Sequence, residues 1–349
     1  MRAPRWAPLV AAAALAACGS GSIDHGRDAR GDTAAPGDAA GAPDASADAL
    51  PDASADAGGG DAGAVDAAGV DGGDGGGTSY DDTVLVDQPV AFWAMSSTTG
   101  TEPDLSGHGH TGTYQGGTPG SATLPNGDVA ADFDGASQYL TVPSHASLSI
   151  PTTGKLTWEA WVRPAVLQFP NNSNGYVDWM GKCEEYSPTC EWEARMYNLT
   201  NPQNRLSRLS AYVFNPGAGL GSGADWQPEA NVIQAGSWYH VVGEYQTLTQ
   251  PTGCSGPEVG GINIWVNGVQ WDQSSHLQTG CMSQYGITPV ANGSALNIGT
   301  MAQDSWFQGA IAKVAIYDDL LPAARIAAHY QAMTGLAPSG SCADTCTLQ

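Results

Sequence analysis

No side chain between Gly19 and Ser79 is aromatic, and that absence decides where this 349-residue chain can fold. A segment becomes compact only by removing apolar surface from water, and residues 19–80 are built mostly of Asp, Ala and Gly. They hold 12 Asp against Arg27 and Arg30, so the stretch repels itself. PDASADA occurs at 43–49 and again at 51–57, but a stacking repeat needs apolar positions and there are almost none. Residues 19–80 therefore read as a disordered tether, on the order of 45 Å end to end as a coil and toward roughly 200 Å when stretched. Folding is left to 83–336, a size ordinary for one β-sandwich or barrel, followed by a Cys-containing tail at 337–349.

Ahead of the tether, Arg2 and Arg5 precede an apolar run from Ala7 to Ala17 that is too short to span about 30 Å of hydrocarbon. Residues 1–18 read as a signal peptide. Leu15-Ala16-Ala17-Cys18, followed by Gly19, resembles the lipobox of bacterial lipoproteins. That resemblance implies acylation of Cys18 (palmitate among the chains), cleavage before it, and anchoring to a membrane leaflet by more than one acyl chain. The expectation is an exported protein, lipid-anchored to the bacterial cell envelope at the outer membrane or cell surface. Charge sets a further limit: 35 acids oppose 12 bases, a net −23, which argues against a nucleic-acid partner. After residue 80 the balance is still 23 acids to 8 bases.

From Val84 onward short runs rich in Val, Ile, Trp and Tyr alternate with Gly, Pro, Asn and Ser clusters. Leu156-Thr157-Trp158-Glu159-Ala160-Trp161-Val162 alternates as a half-buried strand should. Asn267-Gly268 lies between two strand-like runs, 262–266 and 269–271, and predicts a type I′ hairpin turn, which needs positive φ at both central residues. Many short strands with turn punctuation indicate a sandwich or jelly roll.

In sequence order, VAFW (90–93), DLSGHGHTGTY (104–114), ADFDG (131–135) leading into QYL (138–140), LTWEAWVRP (156–164) and SWYHVV (237–242) succeed one another. INIWVNG (262–268), LNIG (296–299), FQGAI (307–311) and Ile316-Tyr317 follow. This succession resembles the laminin-G-like (LamG) branch of the concanavalin A-like lectin/glucanase jelly rolls. The resemblance implies an all-β fold: a two-sheet antiparallel jelly-roll sandwich with a short C-terminal helix around Pro322–Met333. Trp158, Trp161, Trp238 and Trp265 sit inside strand patterns and are expected in the core, and His240 is expected to be structural.

Without Cys18, six cysteines remain: Cys183, Cys190, Cys254, Cys281, Cys342 and Cys346. An even number in an exported chain points to three disulfides, with 15 pairings open. Cys183 with Cys190 at a hairpin mouth, Cys254 with Cys281 between two loops, and Cys342 with Cys346 in a small terminal loop is the expected set. A zinc site is disfavoured, because no close CxxC pair occurs and no His stands in register with a Cys.

Relatives in the glucanase branch carry a strand motif ExDxxE, which sets two carboxylates on one face for glycoside hydrolysis. No such motif occurs; Glu184-Glu185 and Glu191-Trp192-Glu193 are the nearest acidic clusters. The chain is therefore expected not to be an enzyme. Calcium, which many relatives hold at the sandwich edge, is the candidate cofactor. Three positions often acidic in the family are neutral here, near Ser97, Ser137-Gln138 and Ala312, leaving Asp104, Asp132 and Asp134 as candidate ligands. The functional expectation is a non-catalytic, envelope-anchored module recognising a carbohydrate or glycoprotein. Loop aromatics Tyr186, Trp192, Trp226, Tyr285 and Trp306 are the candidate sugar platforms. The alternative is a structural or adhesion protein docking to another envelope protein, and a divergent glycoside hydrolase stands third.

Overall fold

The computed structural model describes residues 79–170, 175–183, 190–200, 205–214, 221–226, 233–248, 259–270, 289–339, 341–343 and 345–347. Helix α1 (Tyr80–Leu85) precedes β1 (Ala91–Trp93), β2 (Thr101–Glu102), β3 (Gly112–Gln115), β4 (Gly120–Thr123), β5 (Val129–Asp134) and β6 (Tyr139–Val142). The longer middle strands are β7 (Lys155–Pro164), β8 (Tyr176–Lys182), β9 (Trp192–Tyr197), β10 (Leu209–Phe214), β11 (Gly221–Trp226), β12 (Tyr239–Leu248) and β13 (Val259–Val266). After them come β14 (Val269–Gln270), β15 (Leu296–Ile298), β16 (Gln308–Tyr317), α2 (Ala323–Thr334), β17 (Ser341–Ala343) and β18 (Thr345–Thr347).

Two antiparallel sheets form the sandwich. One runs β14-β13-β12-β7-β16-β5-β4 with β1 also on β16, and the other runs β11-β10-β9-β8-β15-β6-β3-β2. The expected jelly roll with a short C-terminal helix is what the chain forms. Between the sheets, Trp158 of β7 meets Trp179 of β8 edge-on at 5.6 Å. Opposite Trp158 on β12 stands Gly243, where a Cβ would fall 2.3 Å from the indole, so only glycine lets the ring lie flat on the backbone. The Asn267-Gly268 turn joins β13 to β14 with φ of 53° and 77°, the positive pair that a type I′ turn requires. Trp158, Trp161 and Trp265 are buried as expected, whereas Trp238 is half-buried, donating its indole N–H to Thr123 O beneath the Arg163 guanidinium.

Helix α1 is a feature that periodicity did not disclose. Six residues give only Tyr80 and Val84 as an i, i+4 buried pair, too few to register as a pattern. The helix forms because the Ser79 side chain accepts from Asp82 N and because Asp81 and Asp82 lie at its positive end. The described structure thus includes residues 79–82, ahead of the expected domain start at 83.

Candidate functional site

Strand alternation gives each sheet one face toward the core and one away from it. On β7, Trp158, Ala160 and Val162 face inward, which turns Glu159 and Trp161 outward, onto α2. Trp161 stacks between His240 at 5.1 Å and Tyr330 of α2 at 6.0 Å. The Glu159 carboxylate accepts the Tyr317 hydroxyl at 2.6 Å and meets His240 Nε2 at 3.1 Å and His329 Nδ1 at 2.9 Å. His329 Nε2 reaches Asp87 at 2.7 Å, and Asp87 also accepts from Arg325. Burial opposes charge on Glu159, yet His329 and His240 outweigh it and hold the carboxyl far below its usual range. Burial also opposes charge on His329, but Glu159 and Asp87 raise its pKa; for His240 burial prevails and lowers it. Helices close this face, and His240 serves structure as expected.

Helices α1 and α2 pack on the first sheet, through Tyr80 and Tyr330 against Trp161, and among the described residues neither lies on the outward face of the second sheet. At its centre Tyr176 and Asp178 of β8, Glu193, Arg195 and Tyr197 of β9, and Tyr212 of β10 form a cluster separate from the core. The Arg195 guanidinium lies 3.7 Å over the Tyr176 ring and 4.5 Å from that of Tyr212. It donates to Asp178 at 2.8 Å and pairs with Glu193 at 2.5 Å. Tyr197 and Tyr212 join hydroxyls at 2.5 Å, and Arg205 donates to both. Burial, only partly offset by Arg195, raises both carboxyl pKa values, and the neighbouring Asp178 lifts Glu193 well above the usual range. Glycoside hydrolysis needs its two carboxyl groups about 5–5.5 Å apart for retention or about 6.5–9.5 Å for inversion. Here both carboxyl groups are engaged by Arg195.

Toward the β3–β6 side the same face opens to solvent. Leu140 and Val142 point inward, so Tyr139 and Thr141 point outward, directly opposite Gln115 and Thr113 of β3. From the β15–β16 connection Trp306 sets its edge against the Tyr139 ring at 5.9 Å, and Gln303 Nε2 donates to the Tyr139 hydroxyl at 3.2 Å. Both rings are half-exposed. The result is an aromatic step bordered by hydroxyl and amide groups.

Of the expected platforms, Trp306 lies in this patch. Trp192 is corrected: it is no loop residue but the first residue of β9, fully enclosed, with its indole N–H on Leu148 O. WEARMY alternates around Trp192, Ala194 and Met196, so the ring belongs to the core. Trp226 ends strand β11 opposite Leu209 and is likewise not in a loop. Tyr186, Tyr285, Cys254, Cys281 and Cys18 lie outside the described residues. Cys183 and Cys190 form the expected disulfide. Strands β17 and β18 pair with Cys342 opposite Cys346 in the backbone register. Asp104 accepts from the backbone N–H of Phe92, Ser106 and His110, and Asp134 from those of Ala136, Ser137 and Gln138. Asp132 stands 4.0 Å from Arg163. Asp104 and Asp134 are turn-forming acceptors, and among the described residues no three His, Cys, Asp or Glu side chains gather as a metal site. Tyr139, absent from the expected platforms, was recoverable from the alternation of YLTV.

A family model described as the Concanavalin A-like lectin/glucanases superfamily matches residues 134–327, more than half of the chain. No curated protein matches in sequence. Among solved structures, domain 4 of the extracellular GH43 arabinanase AbnA from Geobacillus stearothermophilus, in complex with arabinotriose, is 16% identical with a TM-score of 0.45. That alignment covers 70% of this chain and 98% of the arabinanase domain. The receptor binding domain of botulinum neurotoxin type G is 13% identical with a TM-score of 0.47, over 70% of this chain and 51% of the toxin domain. The chain thus spans about half of the toxin domain.

Proposed function

The chain belongs to the concanavalin A-like lectin/glucanases superfamily, and from that premise we propose that it is a non-catalytic carbohydrate-binding module whose site is the outward face of the second sheet. One observation carries the reading: the half-exposed Tyr139–Trp306 step stands on the sheet face that the helices leave uncovered, with Thr113, Gln115, Thr141 and Gln303 around it. Sugar C–H groups pack on an electron-rich ring face, while ring hydroxyls exchange hydrogen bonds with short hydroxyl and amide side chains. Asp178 and Glu193 support binding over cleavage, since both are engaged by Arg195. In this reading Cys18 carries the lipid and residues 19–80 hold the module off the envelope.

The test is a glycan array followed by titration calorimetry with the mature protein. Trp306→Ala and Tyr139→Ala should each weaken the selected glycan by about tenfold, equivalent to ~1.4 kcal/mol. Equal affinity of both variants and the parent, or no glycan binding at submillimolar concentration, refutes the reading. For the anchor, labelled palmitate should enter the protein and be lost in Cys18→Ser; label retained by that variant refutes it.

A further inference from the structure

We infer that the glycan bound on the Tyr139–Trp306 face is uncharged, and that the folded region is electrostatically closed to acidic polysaccharides. The inference rests on the carbohydrate-binding reading and follows from where the bases are. After residue 80 the sequence holds eight lysines and arginines, and all eight are among the described residues. Lys155 is bound to Asp319, and Arg325 to Asp87. Lys313 sits between Asp81 at 2.6 Å and Asp128 at 2.8 Å. Arg163 faces Asp132 and lies over Trp238. Lys182 is fully enclosed beside Glu191. Arg195 is held by Asp178 and Glu193, Arg205 by the Tyr197 and Tyr212 hydroxyls, and Arg208 stands half-buried just before β10.

A sulfate or uronate is recognised by a guanidinium or ammonium donating to its oxygens. Here six of the eight stand against an acidic side chain of the same chain, and none of the eight belongs to the patch of Thr113, Gln115, Tyr139, Thr141, Gln303 and Trp306. The nearest ionisable neighbour in the chain is Asp304, which would repel an anion. The surplus of 15 acids after residue 80 adds a long-range field of the same sign. An uncharged polyhydroxyl chain meets none of these penalties and can use every group the patch presents.

The experiment pairs each uncharged oligosaccharide of a panel with its sulfated or uronate counterpart. Affinities are measured at pH 7.5 in EDTA, so that no metal ion bridges the acids, at about 20 and 300 mM NaCl. Uncharged members should bind in a Trp306-dependent manner, changing less than twofold with salt, and charged counterparts at least tenfold more weakly. Thr141→Lys and Gln303→Arg, both at solvent-facing positions, should gain salt-sensitive binding of the sulfated members. Trp306-dependent binding of the charged members by the parent protein as tight as that of their uncharged counterparts overturns the inference while leaving the carbohydrate reading intact. Absence of Trp306-dependent binding to every member overturns both.

Discussion

Lys182 is fully enclosed, its ammonium 4.0 Å from the Glu191 carboxylate and within reach of Ser144 Oγ and Ser294 O. Glu191 in turn accepts from Ile150 N at 2.6 Å and Ser149 Oγ at 3.1 Å. Burial lowers the pKa of Lys182 and raises that of Glu191, so each ion is tolerated only because the other is present. Lys182→Met should therefore cost about 3–5 kcal/mol by urea denaturation, and Lys182→Met with Glu191→Leu should recover most of it. A single variant as stable as the parent would show that the pair contributes nothing. At this scale the sequence is legible where one residue answers to one local rule. Asn267-Gly268 has to turn, because few other pairs take two positive φ values. Trp192 does not follow from its neighbours, because Glu191 and Glu193 make it look exposed; the first is drawn inward by Lys182, and the second is buried on the outward face against Arg195.

The disulfide between Cys183 and Cys190 joins the ends of β8 and β9, next to Lys182 and Glu191. Closing so short a loop is worth about 2 kcal/mol in the chain-entropy account, so Cys183→Ala with Cys190→Ala should melt several degrees lower without loss of the sandwich. Helix α2 gives a prediction in pH. The pKa of His329 is raised in the fold, so its contribution is complete below the unfolded value of about 6.5 and fades as pH rises through the folded value. His240 has a lowered pKa, so stability falls as pH drops below about 6.5, where the unfolded chain takes a proton that the folded one refuses. Glu159, held low, adds a second loss below about pH 4.5 as the unfolded carboxylate protonates. Stability from this network should peak near pH 6.5, and His329→Gln should flatten the alkaline limb of Tm against pH and, because His329 is the strongest influence holding Glu159 low, also shrink the loss below about pH 4.5. An unchanged alkaline limb in that variant would remove His329 as its cause. Helix α2 was legible from its own pattern; its partner α1 was not, since its stabilising contacts run to Trp161, Lys313 and Arg325 rather than along the helix.

For the whole molecule the sandwich was legible because its motifs recur in one order, each a strand whose alternation follows from one face being buried. The site was legible only through Trp306, since the patch is assembled from β3, β6 and the β15–β16 connection, and register between distant strands is not written in any one of them. Charge behaves differently again, because it sums without regard to register. Residues 81–349 hold 23 acids and 8 bases, so after the ion pairs are made a large acidic excess remains on a compact body. That excess repels itself more strongly when folded than when the chain is expanded. The Debye length falls from about 30 Å at 0.01 M salt to about 8 Å at 0.15 M, which screens repulsion across the molecule more than it weakens the short pairs at 2.6–2.8 Å. Adding salt over that range should therefore raise Tm by a few degrees at pH 7.5, and replacing NaCl with KCl should change nothing, because the effect is screening and not ion binding. Were surface pairs the dominant electrostatic contribution, the same addition would lower Tm, so the sign of the salt dependence decides between the two.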